Sequence, residues 1–401
     1  MTHKERILAT IKGEATDRLP FIPRLDIWYN ANKFNNTLPD KYKNATLKEL
    51  TEDLDLGYHS IVPNFKDYDG DDGDIDVGLG IYKFKARPYA LEFHNIERKI
   101  KREAKGILHV EYVTPKGNIS TTVRYDEGMK KMGLTLYVTL EHAIKSVDDF
   151  DALAYIFENI EVKPDYAGYI SHKENLVGDS GVAVALSHMC ASPMHYLIKE
   201  LMAMDTFYYE SIDNPDEIRD LANRLLPFLR KVFHIAADSP AEVLLSGANY
   251  DSGITIPSMF KEHIVPELKY QSDYLHKKGK FLATHTDGEN VGLLEPYVES
   301  GFDIADSICP APMTKYSLKE IRDVFGNNLT IWGGIPSISV VESSMSDYEF
   351  DKYINGLLES IGTGNHIIFS IADTVPPAAK FERILEIAKK IKEFGPISST
   401  T

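Results

Sequence analysis

Beyond residue 240, five short apolar runs each end in a small polar cluster. Leu244-Leu245-Ser246-Gly247 runs into Ala248-Asn249-Tyr250-Asp251-Ser252-Gly253, and Phe281-Leu282-Ala283-Thr284 into His285-Thr286-Asp287-Gly288. Phe302 to Ala305 leads to Asp306-Ser307, Leu329 to Ile331 leads to Trp332-Gly333-Gly334, and His366 to Phe369 leads to Ser370-Ile371-Ala372-Asp373. Helix-patterned segments separate most of the runs. Buried strands alternating with helices, with chemistry at the strand ends, predict an α/β chain folded as a parallel (β/α)8 TIM barrel. Such a fold gathers His285, Asp251, Asp287, Asp306 and Ser370 around one mouth.

The first third reads differently. Residues 3–12 predict a short helix, and Phe21 to Trp28 a first strand ending in polar and aromatic groups. Thr46 caps a helix that begins at Leu47. Residues 66–78 are dense in Asp and Gly and predict a loop. Its alternating aspartates from Asp67 to Asp71 do not make a calcium loop, because Asp72 stands where the turn glycine belongs and Gly78 where the bidentate glutamate belongs. Residues 91–125 alternate apolar and polar in three runs broken by Gly106 and Pro115-Lys116-Gly117-Asn118, which predicts an antiparallel insertion. From about residue 143 the helical period dominates. Ile218, Leu221, Leu225, Phe228, Leu229, Val232 and Phe233 form one core-facing stripe. Pro257 to Lys278, Tyr348 to Ile361 and Ala378 to Phe394 predict further helices. The expectation is one barrel domain over 1–395 and a frayed tail over 396–401.

Composition narrows the class. A chain of 401 residues with 43% hydrophobic and 26% charged positions is that of a soluble globular protein with a large core. No apolar run reaches the roughly 18 residues of a membrane span, and the N-terminus opens a helix and not a signal peptide. With Cys190 and Cys309 the only cysteines, no disulfide framework is expected, and the cytoplasm is the expected location. A net charge of −16 argues against a nucleic-acid partner.

Candidate chemistry lies at the strand ends. His285 and Asp287, two apart, can face one side together. They suit a zinc or iron ion, or a proton-transfer pair, or a loop held by hydrogen bonds. Asp251 can bind substrate, act as an acid, join the metal ligands, or cap the next helix, with Asn249 and Tyr250 beside it. Arg24, Asp26 and Trp28 offer charge and a planar wall at the first strand, although Arg24 and Asp26 can simply pair. His188 and Cys190 end the run from Val182, where a buried structural cysteine is the simpler reading. Asp306, Trp332, the two open glycines 333 and 334, Ser370 and Asp373 complete the ring. No Walker loop, Rossmann fingerprint or HExxH occurs.

At Tyr250-Asp251-Ser252, His285-x-x-Gly288, Asp303 to Asp306, the Gly-Gly before Ile335-Pro336, and Pro376-Pro377, the chain resembles the uroporphyrinogen decarboxylase superfamily. That resemblance implies a (β/α)8 barrel with its cleft at the C-terminal mouth. One branch decarboxylates porphyrinogens and carries an arginine-rich segment after its first strand. Here Phe21 to Asn30 holds one arginine and an aspartate, too little positive charge for a polycarboxylate. The other branch is the corrinoid-dependent methyltransferases. Its thiol-methylating members carry His-x-Cys and a later cysteine as zinc ligands. Here Asp287 and Ser370 stand at those positions, which points to an oxygen-rich metal site or none. The resemblance therefore implies a methyltransferase that moves methyl from a small, methoxyaromatic donor to cobalamin carried by a separate corrinoid protein. A decarboxylase and a non-catalytic small-molecule binder are the alternatives.

Overall fold

Secondary structure follows the hydrophobic pattern closely in the C-terminal half and loosely before it. In the computed structural model, which describes residues 1–70 and 72–400, twelve strands form three sheets. β1 (Tyr89–Phe93) pairs antiparallel with β6 (Ile160–Pro164). β2 (Glu97–Glu103), β3 (Ile107–Thr114), β4 (Gly117–Arg124) and β5 (Val138–Glu141) make a four-stranded antiparallel sheet. The antiparallel insertion is thus present, but it is larger than the alternation over 91–125 implied. Leu91 and Phe93 belong to the separate β1–β6 ribbon, whose second strand alternates over only five residues and lies beyond the predicted segment.

The remaining six strands form one parallel sheet in sequence order: β7 (Val184–Leu186), β8 (Val243–Ala248), β9 (Phe281–His285), β10 (Ile304–Ile308), β11 (Thr330–Pro336) and β12 (Ile367–Ala372). Strands buried on both faces read as near-continuous apolar runs, which is why these were visible. One face packs Ile22, Val184, Val243, Leu245, Ala283, Ile304, Trp332 and Ile368 into a common cluster. The helix Pro215–Asp238 buries the whole stripe from Ile218 to Phe233. Each such side chain contributes roughly 1.5–3 kcal/mol by leaving water. Gly333 is required in β11: its φ is +152°, and a Cβ there would lie 2.6 Å from the Ile308 carbonyl oxygen.

Two short segments bond to the outer strands of this sheet. Ile22 N–H donates to Phe369 O at 2.8 Å, and Phe369 N–H to Pro20 O at 3.0 Å. Gly57 N–H donates to Phe21 O at 3.1 Å, and Val184 N–H to Ser60 O at 3.3 Å. The predicted first strand is therefore only a bridge at Phe21. From Asp26 the chain is already helical, through Phe34. Trp28 consequently points into the core. It is 2% exposed and stacks on Phe381 with ring centres 5.4 Å apart.

The chain end also departs from expectation. Ile397 is buried and pairs with Thr16, and Thr400 N–H donates to Gly13 O at 2.9 Å. The tail to residue 400 is tied down by the first helix's C-terminal turn; Thr401 lies outside the described residues, as does Asp71 of the aspartate-rich loop. Among the described residues no helix is long and apolar enough to cross a membrane.

Trp28→Ala is expected to cost about 3–5 kcal/mol in urea unfolding, because it empties a stacked core site. A loss below about 1 kcal/mol would place that ring outside the core.

Candidate functional site

The site is organised around the last residue of β9. His285 and Asp306 are register partners on adjacent parallel strands. His285 Nδ1–H donates to Asp306 Oδ2 at 2.6 Å, with both residues buried. That bond fixes the ring and turns Nε2 toward Asp373, whose Oδ1 is 3.3 Å away. Asp373 follows directly on β12. Its Oδ1 also accepts from Arg24 Nη1 and from Ser307 Oγ, each at 3.0 Å. Successive strand residues normally face opposite ways. Here Asp306 and Ser307 both reach the same His285–Asp373 pair, because β10 has a register shift between Asp306 and Ile308 and Ser307 adopts φ +62°. A bulge that re-aims a side chain is a frequent device beside functional sites.

Asp287 completes the group. One ligand atom from each of His285, Asp287 and Asp373 lies within 4.8 Å of the others. Imidazole with two carboxylates is a donor set suited to a divalent cation such as zinc or iron. The Asp306 bond to the far ring nitrogen is the support that metal-binding histidines commonly have.

The electrostatics are those of crowded carboxylates. Burial works against the charged form of His285, yet Asp373, Asp306 and Asp287 together raise it above its ordinary value. Burial raises the Asp287 carboxyl; His285 opposes this, and Asp373 and Asp306 add to the rise. Asp373 goes the other way. Burial opposes its ionisation, but Arg24 and His285 hold it down to about 2. Arg24 is buried, and burial is outweighed by Asp26 and Asp373, so its guanidinium is held firmly charged.

Several expected contributors lie elsewhere. Asp251 is not in the cluster. Its Oδ1 accepts from Gly253 N–H at 2.8 Å and its Oδ2 from Glu289 N–H at 3.1 Å, so it ties two loops together. Gly288 packs on it so closely that a Cβ would sit 3.0 Å from the Asp251 Cα. Tyr250 is fully buried, bonds Thr284 Oγ1 at 2.7 Å and packs on Phe260. It is core and not a ligand wall, as is Trp28. His188 faces the helix layer, beside Leu229 and Phe233. Its Nδ1–H donates to Cys190 O at 2.7 Å, and burial pushes it down to about 4. Cys190 is fully buried, as a structural cysteine is. Asp26 starts a helix and pairs with Arg24 Nε at 3.1 Å. Trp332 is buried within the sheet's inner cluster. Ser370 is buried opposite Gly334, with no hydrogen bond to the His285 group among the described residues. Asn249 is exposed, and its N–H donates to His285 O at 2.9 Å.

The structure adds one residue that the pattern did not single out. His59 sits edge-on to Trp332, ring centres 6.1 Å apart. Burial pushes it down to about 4, with Asp306 and Arg24 acting in opposite senses. The short run Leu56-Gly57-Tyr58 before it was too brief and glycine-broken to mark a strand. His59, Arg24 and Asp26 line a cavity of about 150 Å³ together with Tyr58, Ser60 and Asn64. His285 does not line it; the two meet through Arg24, which reaches Asp373.

Comparison with known proteins gives a fold likeness. No family model and no curated protein matches the chain. A solved structure described as a methyltransferase from Methanosarcina mazei aligns over 98% of this chain and 99% of its own, with a TM-score of 0.55 and 14% identity.

In chelator-treated protein, NMR is expected to show His285 titrating above 6.5, its ordinary value. Its proton stabilises the fold below that ordinary value, and the contribution is lost as pH rises through the raised one. Asp306→Asn should lower the midpoint; an unchanged midpoint would show that the Asp306 bond does not control this ring.

Proposed function

We propose that this chain is a cytoplasmic corrinoid-dependent methyltransferase. It would move a methyl group from a small methoxyaromatic donor to cob(I)alamin on a separate corrinoid protein. The observation that carries this reading is the convergence of His285 Nε2, Asp287 and Asp373 on one point, with Asp306 fixing the ring. The fold likeness to a protein described as a methyltransferase supports it at a coarse level. We further propose that Pro20–Ile22 and Gly57–Ser60 complete a closed (β/α)8 barrel forming one domain, on the strength of their bonds to β12 and β7.

The chemistry asks for help at an oxygen. An ether oxygen leaves poorly unless a proton or Lewis acid takes up its charge. His285, when protonated, can give its Nε2 proton to the departing oxygen as the methyl–oxygen bond breaks with its electron pair left on oxygen and the methyl passes to the corrinoid cobalt. Asp306 keeps the ring facing that position, and Arg24 and Ser307 hold Asp373 against it. His285, Asp287 and Asp373 would hold zinc, which when bound supplies Lewis acidity at the same place. Cobalamin on the partner supplies the acceptor for the methyl group.

Porphyrinogen decarboxylation is disfavoured by Arg24. The one arginine of that segment is already paired with Asp26 and Asp373, which leaves little positive charge for a polycarboxylate.

Incubation with a reduced corrinoid protein and methoxybenzenes should give the methylcobalamin spectrum. His285→Ala should slow its appearance by about 10²–10⁴-fold, while Asp251→Asn has a far smaller effect. Release of carbon dioxide without any corrinoid would instead favour a lyase. Unchanged turnover in His285→Ala would overturn the assignment of the site.

A further inference from the structure

Away from His285, the insertion and the loop before it build a second cluster. Lys66 Nζ lies 3.9 Å from the centre of the Tyr125 ring, 4.1 Å from that of Tyr137 and 4.9 Å from that of Tyr68. The rings come from three segments: the loop that carries Lys66, the end of β4, and the approach to β5. They are held independently of the lysine. Tyr125 Oη–H donates to Leu134 O at 2.7 Å, Tyr137 Oη–H to Asp74 Oδ2 at 2.8 Å, and Tyr68 bridges to Phe84. Arg102 clamps Asp74 with two bonds, at 2.8 and 2.7 Å.

The occupant fits this cage imperfectly. A primary ammonium has three N–H donors. Among the described residues only one finds an oxygen: Lys66 Nζ donates to Tyr137 Oη at 3.0 Å. Its other hydrogens are left to ring faces. Burial pushes the Lys66 ammonium down to about 8, Asp74 opposing and Lys130 and Arg102 adding to the fall. An ammonium whose hydrogens are replaced by methyl groups has no donor to satisfy and gains the same attraction from the ring faces. The lysine is half-buried on a loop, so its ammonium can rotate out to water without unfolding a strand.

We propose that Tyr68, Tyr125 and Tyr137 form a binding site for a methylated ammonium ligand, with Lys66 as its tethered internal competitor. The site uses none of the groups around His285, and it stands or falls separately from the methyl-transfer reading.

Calorimetric titration of the full chain with tetramethylammonium tests it. Lys66→Ala should bind about tenfold or more tighter than the wild type, because the competing bound state is removed. Adding Tyr125→Leu should abolish that binding, and the neutral isostere tert-butanol should bind to neither protein. Should Lys66→Ala not fold, the wild type carries the test. Its affinity should rise between about pH 7 and 9 as Lys66 loses its proton. Over that window Asp74 stays charged, as do Arg102 and Lys130, and all three tyrosines are raised and stay neutral. Equal affinity in wild type and Lys66→Ala, a flat pH profile, or equal binding of tert-butanol would overturn the proposal.

Discussion

The hydrogen bond from His285 Nδ1–H to Asp306 is the constraint on which the site depends. An imidazole at a strand end has two usable nitrogens and a free rotation. Occupying one nitrogen with a buried carboxylate at 2.6 Å removes that freedom and commits the other to Asp373 and Asp287. The parallel register between β9 and β10 supplies the bond, so the orientation is written into the sheet and not into a loop. Sites on strands are held more firmly than sites on loops.

Charge balance then sets what the site can receive. Asp26, Asp287, Asp306 and Asp373 face two cations, Arg24 and His285. Arg24 is spent on Asp26 and Asp373. Such a centre attracts a proton or a metal cation and repels a second carboxylate. Both cations would compete for the same Nε2 lone pair, so a metal bound there would displace any proton that Nε2 carries. Under the proposed reading one geometry would serve acid catalysis and Lewis acid catalysis alike, and would disfavour anionic substrates.

The sheet was legible because β8 to β12 are buried on both faces, and each carries an apolar run ahead of a polar or glycine position. The insertion was partly legible: β3 and β4 carry alternating runs, while β6 is five residues long and far along the chain, and β5 is four residues and half-exposed. His285, Asp287, Asp306 and Arg24 could be picked out because each is a polar residue at the end of an apolar run. Asp251 met the same criterion and failed it, since a loop aspartate beside glycines also makes backbone turns, and one sequence cannot separate the two uses. Trp28 and Tyr250 failed because a strand-end aromatic can turn inward as easily as outward. Asp373 stood in the ring without a role, because its place depends on Arg24, 349 residues away. His59 left no signal, because its segment is too short to show a period.

The central claim is that His285, Asp287 and Asp373 hold one cation through nitrogen and oxygen alone. Titration of chelator-treated protein with cobalt(II), followed by visible absorption and by proton release, tests it most directly. The account predicts one cobalt per chain, release of the His285 proton, no thiolate-to-metal charge-transfer band, and loss of the signal in Asp373→Asn. A thiolate band, which would bring in Cys309, or cobalt binding unchanged by Asp373→Asn, would contradict it.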